Sequence, residues 1–259
     1  MKRSPAGGEG REVLYGIHPI LEALDSGTRT VERVLVAREG GGTGLGSLLR
    51  RARQSGVPVT HLPRALLARK AGRGAIHQGV IALVSAVPYA DPGDLCGRAA
   101  AQDGILVVLE GVADPRNLGA VLRTAAAAGV SGVLLSGGET VGLTPVAAKA
   151  SAGAVERIPV AREARIGRRI ASLKECGFRI VALDPEGEVT WDQADLTGKV
   201  VLMAGGEGPG LRPALRQAAD ARLSIPLEKG VESLNVSVAL GVVLFEAVRQ
   251  RRRTRGPLS

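Results

Sequence analysis

Residues 105–125 read ILVVLEGVADPRNLGAVLRTA, and this stretch contains the pattern that decides the fold. An uninterrupted apolar run over residues 105–109 is followed by a turn-forming segment with Gly111 and Pro115, and then by apolar residues at helical spacing. A continuous apolar strand that leads directly into a helix is typical of a parallel sheet covered by helices on both faces. The stretch therefore predicts an α/β fold.

The same alternation extends over residues 105–250, which we predict to form one domain. Strands are predicted at Ile105–Leu109, Gly132–Leu135, Arg157–Val160, Arg179–Leu183, Val200–Ala204 and Leu223–Ile225. Helices are predicted at Asn117–Ala128, Thr144–Gly153, Arg165–Cys176, Pro213–Ala219 and Asn235–Arg251. Open parallel sheets bind ligands beyond the carboxyl ends of their strands, so the residues that follow these strands are the first candidates for a site.

A smaller α/β module is predicted at residues 11–87. Its pattern predicts helices and strands at His18–Asp25, Val31–Ala37, Leu48–Gln54, Val57–Leu62, Arg64–Ala71 and Val80–Val87. Residues 1–10 are rich in Gly, Pro and charge and are predicted to be disordered. Residues 88–104 carry two prolines and three acids and predict a linker with about one helical turn. Residues 251–259 are predicted to form a basic tail.

The charge of the chain is +9 and is unevenly distributed. Residues 1–86 hold 13 Lys and Arg against 6 Asp and Glu, a net of +7, whereas residues 87–248 hold 16 against 19, a net of −3. The last eleven residues add five arginines. This distribution favours an acidic polymer such as nucleic acid as partner, with phosphate contact on the first module and chemistry on the second. The alternative is a solvated, arginine-rich surface.

The composition also excludes several classes of protein. Only five residues are aromatic, which argues against a single-strand platform that stacks bases. Two cysteines make no disulfide framework, and with three histidines they show no metal-ligand spacing, so we expect a reducing cytosol and no metal. No apolar run reaches the roughly 20 residues of a membrane span, so we expect a cytoplasmic protein without a membrane partner.

Two polar residues stand out after the first strand of the larger domain. Asn117 lies where a helix N-cap is expected, and Arg123 follows two turns into that helix. Either residue also has an ordinary explanation, because an N-cap contributes about 1 kcal/mol and a solvated helix arginine is common.

A second junction, VLMAGGEGPGL at residues 201–211, has four glycines in six positions. Such a loop requires close backbone approach or several positive φ angles. Its spacing is neither the dinucleotide fingerprint nor a phosphate-binding P-loop. Glu207 inside the loop is hard to explain as structure alone. The glycine-rich stretch Gly40–Gly46 lacks the fingerprint as well, and we interpret it as a flexible loop, with phosphate contact as the weaker alternative.

The third junction, IPLEKGVESLNVS at residues 225–237, leads from a short strand into the last helix. Ser233 or Asn235 is expected to cap that helix. Polar groups at a helix N-terminus also suit a substrate hydroxyl or phosphate, and capping alone remains the alternative.

The order and spacing of the three junctions resemble a known family. DPRNLGAVLRTA at 114–125, GGEGPGL at 205–211 and IPLEKGVESLNVSVA at 225–239 are similar to the three motifs of the SpoU (TrmH-like) RNA ribose 2'-O-methyltransferases. The first module, with YGIH at 15–18 and HQG at 77–79, resembles the ribosomal-protein-L30-like RNA-binding domain. The pairing is most similar to the enzymes of this family that methylate guanosine in 23S rRNA.

The resemblance implies a SPOUT-type, trefoil-knotted catalytic domain that binds S-adenosylmethionine (SAM), and a homodimer whose active site uses both subunits. RNA is the implied partner, 23S rRNA in particular, and no DNA is expected. By matching motifs, the SAM pocket includes Leu183, Gly205, Gly206, Ile225 and Leu234. The implied catalytic residues are Arg123, Asn117, Glu207, Ser233 and Asn235. In enzymes of this family the arginine that matches Arg123 is proposed to be the base.

Three other functions stay open at this point. The first is another enzyme of the same superfamily, either one that methylates a tRNA or a resistance enzyme that methylates another rRNA nucleotide. A different class is a non-catalytic RNA-binding factor in ribosome assembly. A nicotinamide-dependent oxidoreductase is disfavoured because the dinucleotide fingerprint is absent from the sequence.

Overall fold

A computed structural model describes residues 12–72, 75–206 and 208–255. The chain divides into two compact units. The first contains the residues up to Pro88 together with Leu143–Arg157, and the second contains Tyr89–Gly142 and the residues from Ile158 onward. The sequence pattern placed Leu143–Arg157 in the larger domain, whereas in the structure this segment packs within the first unit. The predicted disorder of residues 1–10 lies outside the described residues.

The elements alternate along the described chain. The first unit begins with β1 (Glu12–Tyr15), α1 (Ile17–Ser26), β2 (Val31–Ala37), α2 (Leu45–Gln54), β3 (Val59–Leu62), α3 (Arg64–Ala71) and β4 (Val80–Val84). The second unit begins with α4 (Pro92–Ala101), β5 (Ile105–Glu110), α5 (Pro115–Ala127) and β6 (Gly132–Ser136). The chain re-enters the first unit for α6 (Pro145–Ala150) and a short 3-10 helix (Ala154–Glu156). It returns to the second for β7 (Val160–Glu163), α7 (Ile166–Glu175), β8 (Arg179–Leu183), β9 (Val189–Thr190), β10 (Val200–Gly205), α8 (Pro213–Ala218), β11 (Ala221–Ser224) and α9 (Val236–Arg255).

The first unit is built on a mixed sheet with strand order β1-β4-β2-β3, in which β4 is antiparallel to both of its neighbours. The YGIH and HQG motifs of this unit, at residues 15–18 and 77–79, are in contact. The side-chain carbonyl of Gln78 accepts a hydrogen bond of 3.1 Å from the Ile17 backbone N–H at the start of α1. Gly79 approaches Gly40 and Gly41 so closely that a Cβ on it would lie 2.8 Å from each backbone. The glycine-rich loop is therefore used for packing.

The second unit contains a seven-stranded sheet with order β7-β6-β5-β10-β8-β11-β9, and every pairing is parallel. This confirms the predicted α/β class with a parallel-sheet domain. Strand β10 lies between β5 and β8, and Gly205 is paired in register with Glu110, so the loops after β5, β8 and β10 leave the same edge of the sheet. The trefoil knot stays a prediction.

Four local predictions were wrong. Helix α9 continues to Arg255, so residues 251–255 of the predicted basic tail are helical. The predicted linker contains α4, whose cap Asp91 accepts hydrogen bonds from the Gly93 and Asp94 backbones. Strand β7 begins at Val160, where the predicted strand ends. Helix α5 begins at Pro115 and is capped by Asp114, so Asn117 is not its N-cap. Proline favours the first position of a helix, and this signal outweighs the asparagine. None of the helices in the described residues is long and apolar enough to cross a membrane.

Candidate active site

The loop after β10 is packed against the loop after β5 through glycine backbone. The Gly206 N–H donates a hydrogen bond of 2.7 Å to the Glu110 carbonyl. A Cβ on Gly206 would overlap the carbonyl group of Gly111, and a Cβ on Gly205 would overlap the backbone of Gly210 and Leu211. Both positions therefore require glycine for lack of space.

Glu110 holds the far end of this loop, and it lies outside the three sequence motifs. Its buried carboxylate accepts hydrogen bonds from the Arg212 backbone N–H at 2.8 Å and from the Arg212 Nε at 2.5 Å. One side chain thus holds the loop over residues 206–212 to the end of β5. An acid at the end of the otherwise apolar run ILVVLE was the signal available in the sequence.

The resemblance implies that this loop binds SAM. We expect a Glu110→Gln variant to bind SAM about tenfold more weakly, because a charge-assisted hydrogen bond contributes about 1.5 kcal/mol. The measurement is a SAM titration by calorimetry. Glu163→Gln is the matched control, since the Glu163 carboxylate also accepts from a backbone N–H, that of Arg165 at 3.0 Å, and pairs with Arg169 at 2.9 Å, but lies on the edge strand β7. Equal SAM affinity of Glu110→Gln and the unmodified protein would contradict this role.

A cavity of about 220 Å³ opens beside the glycine loop. Residues from the loops after β8, β10 and β11 and from the start of α9 line it: Leu183, Asp184, Pro185, Ala204, Gly205, Gly206, Gly208, Gly210, Leu223, Ile225, Leu227, Ser233, Leu234, Val236 and Ala239. All five residues predicted for the cofactor, together with Ser233, therefore lie around one cavity. Its walls combine aliphatic side chains with glycine backbone, which suits a flat apolar group that carries polar edges.

The wall after β8 is fixed by a buried carboxylate. Asp184 has a fully buried side chain, and its Oδ1 accepts a hydrogen bond of 3.1 Å from the Glu186 N–H. Its Oδ2 lies 3.3 Å from the Arg216 Nε and 3.7 Å from an Arg222 guanidinium nitrogen. The backbone N–H of Asp184 also donates to the Leu223 carbonyl at 2.9 Å, which joins two lining residues.

Two of the predicted catalytic residues are in direct contact. The Asn235 Nδ2 donates a hydrogen bond of 3.0 Å to the Asn117 Oδ1. The Asn235 Oδ1 accepts from the Ser237 N–H at 2.9 Å and from the Ser237 Oγ at 2.6 Å, so Asn235 caps α9 as predicted. These bonds fix the orientation of both amides. Asn235 lies in the chain between Leu234 and Val236, which line the cavity.

The structure does not bring Arg123 to this pair. Arg123 lies exposed on α5, and it has no hydrogen bond or ion pair with the parts of the chain that the structure describes. It is also absent from the cavity lining. Glu207, the remaining predicted catalytic residue, lies outside the described residues.

The chain belongs to the SpoU RNA methyltransferase family. The model of the SpoU rRNA Methylase family matches residues 104–245. A second model, described as RNA 2'-O ribose methyltransferase substrate binding, matches residues 13–90. The resemblance read from the motifs is confirmed, and the protein is a tRNA/rRNA methyltransferase of this family.

Known relatives cover nearly the whole chain. A protein of Mycolicibacterium vanbaalenii named as a tRNA/rRNA methyltransferase is 39% identical over 93% of this chain and 77% of its own length. The SpoU methyltransferase AviRb of Streptomyces viridochromogenes, solved with AdoMet (SAM), has a TM-score of 0.78 at 26% identity and covers 95% of this chain and 92% of its own. An AdoMet-bound rRNA methyltransferase of Sinorhizobium meliloti has a TM-score of 0.76 at 27% identity and covers 96% and 88%.

Proposed function

We propose that the protein transfers a methyl group from SAM to a ribose 2'-hydroxyl of RNA, with guanosine in 23S rRNA as the target. The cavity carries this proposal, because the five residues matched to the SAM pocket of the family surround one space. SAM is the cofactor that the family uses, and AdoMet is bound in two of the similar structures.

The residues around the cavity fit this cofactor. Leu183, Ile225 and Leu234 offer apolar walls for a purine ring, and the closely packed glycine backbone leaves peptide groups for its polar edges. When bound, SAM supplies a methyl group activated by its sulfonium charge. A side chain at position 206 would overlap the Gly111 carbonyl and displace the glycine wall of the cavity.

The chain's own residues would align the ribose and polarise its hydroxyl. A 2'-hydroxyl is a very weak acid, so alignment and a nearby positive charge are what the protein can contribute. We assign the charge to Arg123, which binds the adjacent phosphate, since an exposed guanidinium is a poor base. Asn117 and Asn235, already joined at 3.0 Å, would orient the ribose together with Ser233 and Glu207.

We further propose a homodimer in which Arg123 serves the partner's site. Helix α9 exposes Val238 and Phe245, two turns apart, with 51% and 50% of their surface accessible. An exposed apolar stripe on a helix is characteristic of an interface. Helix α5, which carries Arg123, packs against α9, so both helices would contribute to the contact.

A Phe245→Arg variant is expected to be monomeric and to lose methyl transfer at least about tenfold, since an unpaired charge at an interface core costs several kcal/mol. Light scattering after gel filtration measures the mass. Val146→Arg is the control for the mass measurement, because Val146 is similarly exposed, at 41%, but lies in the first unit. An unchanged mass for Phe245→Arg would contradict this interface.

The function itself is tested by methyl transfer from tritiated SAM to separated pools of 23S rRNA, 16S rRNA and tRNA, followed by mapping of the modified nucleotide. Label on a guanosine ribose in 23S rRNA supports the whole proposal. Label on a ribose in tRNA, or on another nucleotide, would contradict the proposed target but support the proposed 2'-O-methyl transfer. SAM binding without transfer to any RNA would overturn the chemistry and favour an assembly factor.

A further inference from the structure

The segment Leu143–Arg157 is held in the first unit by buried polar contacts. Its Glu156 carboxylate pairs with the Arg29 guanidinium at 2.5 Å, and both side chains are only 1% exposed. The Thr28 hydroxyl donates to the Glu156 carbonyl at 2.7 Å, and Arg157 forms two hydrogen bonds with Glu22 at 2.5 and 2.7 Å. The segment is therefore a structural part of the first unit, although the methylase family model covers its sequence.

These anchors place Lys149 of α6 on the surface of that unit. Its Nζ donates a hydrogen bond of 3.0 Å to the Ile76 carbonyl and lies 4.8 Å from the centre of the Tyr15 ring. A lysine ammonium has three donors, and the carbonyl uses one of them. Two contacts thus fix the position of a charge that is ordinarily mobile at the end of its side chain.

Two further donors lie near Lys149. The His77 Nδ1 accepts a hydrogen bond of 3.1 Å from the Gly79 N–H, so the neutral ring carries its proton on Nε2. Burial and the nearby charges of Arg64 and Lys149 lower the pKa of His77, which favours this neutral donor form. Arg64 is exposed, and within the described ranges its guanidinium forms no ion pair. The Glu39 carboxylate accepts hydrogen bonds from the Arg64 backbone N–H at 3.1 and 3.3 Å, so one acid lies beside Arg64.

We propose that Lys149 and Arg64, beside the His77 ring, which is only 8% exposed, form one anion-binding patch, the Lys149 patch, which contacts a backbone phosphate of the substrate RNA. Charge complementarity supports RNA as the occupant, because residues 1–86 carry a net charge of +7 and no acid occurs between Gly40 and Ala90. Ile76, which is 70% exposed, adds an apolar contact beside the charges. This inference rests on the proposed function for the identity of the ligand. It makes Lys149 a substrate contact outside the residues matched by the substrate-binding model.

The test is binding of a fluorescein-labelled RNA stem-loop to the full chain over a series of KCl concentrations. For Lys149→Gln we expect a roughly three- to tenfold weaker affinity and a slope of log Kd against log salt reduced by about 0.9, the value for one lost phosphate contact. Lys149→Arg is expected to keep most of the affinity and the slope. Lys199→Gln is the matched control, since the Lys199 Nζ also donates to a backbone carbonyl, that of Cys176 at 3.3 Å, but in the second unit.

Unchanged RNA affinity and salt slope in Lys149→Gln would overturn the proposal. An equal loss in Lys149→Gln and Lys149→Arg, accompanied by a lower melting temperature, would also overturn it, because it would indicate a structural role for the α6 contact. The binding assay requires no methyl transfer. A failure of the proposed chemistry, seen as no label transferred from SAM by the unmodified protein, is therefore distinguishable from a failure of the patch.

Discussion

An Arg123→Ala variant is expected to lose methyl transfer to RNA by roughly a thousandfold, which is the effect of removing a charge that stabilises a transition state. SAM affinity should stay within about twofold, because the role assigned to Arg123 is to bind a phosphate of the RNA, and Arg123 is absent from the lining of the cavity in its own chain. Single-turnover transfer from tritiated SAM measures the first quantity, and calorimetry measures the second.

The control for this variant is Arg116→Ala. Arg116 lies two turns earlier on the exposed face of α5 and pairs with Asp114 at 2.8 Å. The Arg116→Ala variant therefore removes a similar charge from a different position on the same helix. We expect it to keep nearly full activity. Arg123→Lys separates two roles: a fixed charge leaves the pH–rate profile unchanged, whereas a base introduces a new ionisation. Retained turnover in Arg123→Ala would make the assignment wrong.

Gly206→Ala is expected to weaken SAM binding by roughly a hundredfold, because forced overpacking costs up to about 3 kcal/mol. The added methyl group would overlap the Gly111 carbonyl and lie 2.9 Å from the Val112 nitrogen, all backbone atoms that cannot rotate away. The loop would have to move from the end of β5, and the cavity wall with it. A SAM titration measures the effect, and thermal unfolding shows whether the variant is folded.

Gly167→Ala provides the comparison. Gly167 lies in α7, and a Cβ there would meet no atom within 4 Å, so we expect unchanged SAM affinity and a gain in stability of up to about 1 kcal/mol. If Gly206→Ala bound SAM as the unmodified protein does, the cavity would not be the cofactor site.

The central strands of the large sheet could be predicted from the sequence because their burial is uniform. Ile105–Leu109 and Val200–Ala204 are continuous apolar runs, and both are fully buried strands in the structure. Short elements lacked such a signal. Strand β1 has four residues and β9 has two, and each is defined by pairing with a strand far away in the sequence. Helix α4 contains Gly93 and Gly97, which weaken any helical pattern.

The candidate site was predictable to a similar degree. Local motifs identified the residues around the cavity, since each follows a strand and the carboxyl ends of parallel strands meet at one edge. Glu110 and Asp184 were not selected, because their roles depend on arginines about 100 and about 30 residues further along the chain. The position of Arg123 relative to a site also depends on tertiary and quaternary packing, about which a helical motif carries no information.

The re-entry of Leu143–Arg157 into the first unit limits how this unit can be exchanged for that of another protein. A graft of residues 1–88 alone onto another catalytic domain would leave Arg29 with Glu12 at 3.2 Å but without Glu156, and removing one member of a buried ion pair costs about 3 kcal/mol. A functional chimera needs cuts near residues 88, 142 and 157, so that both pieces of the recognition unit move together.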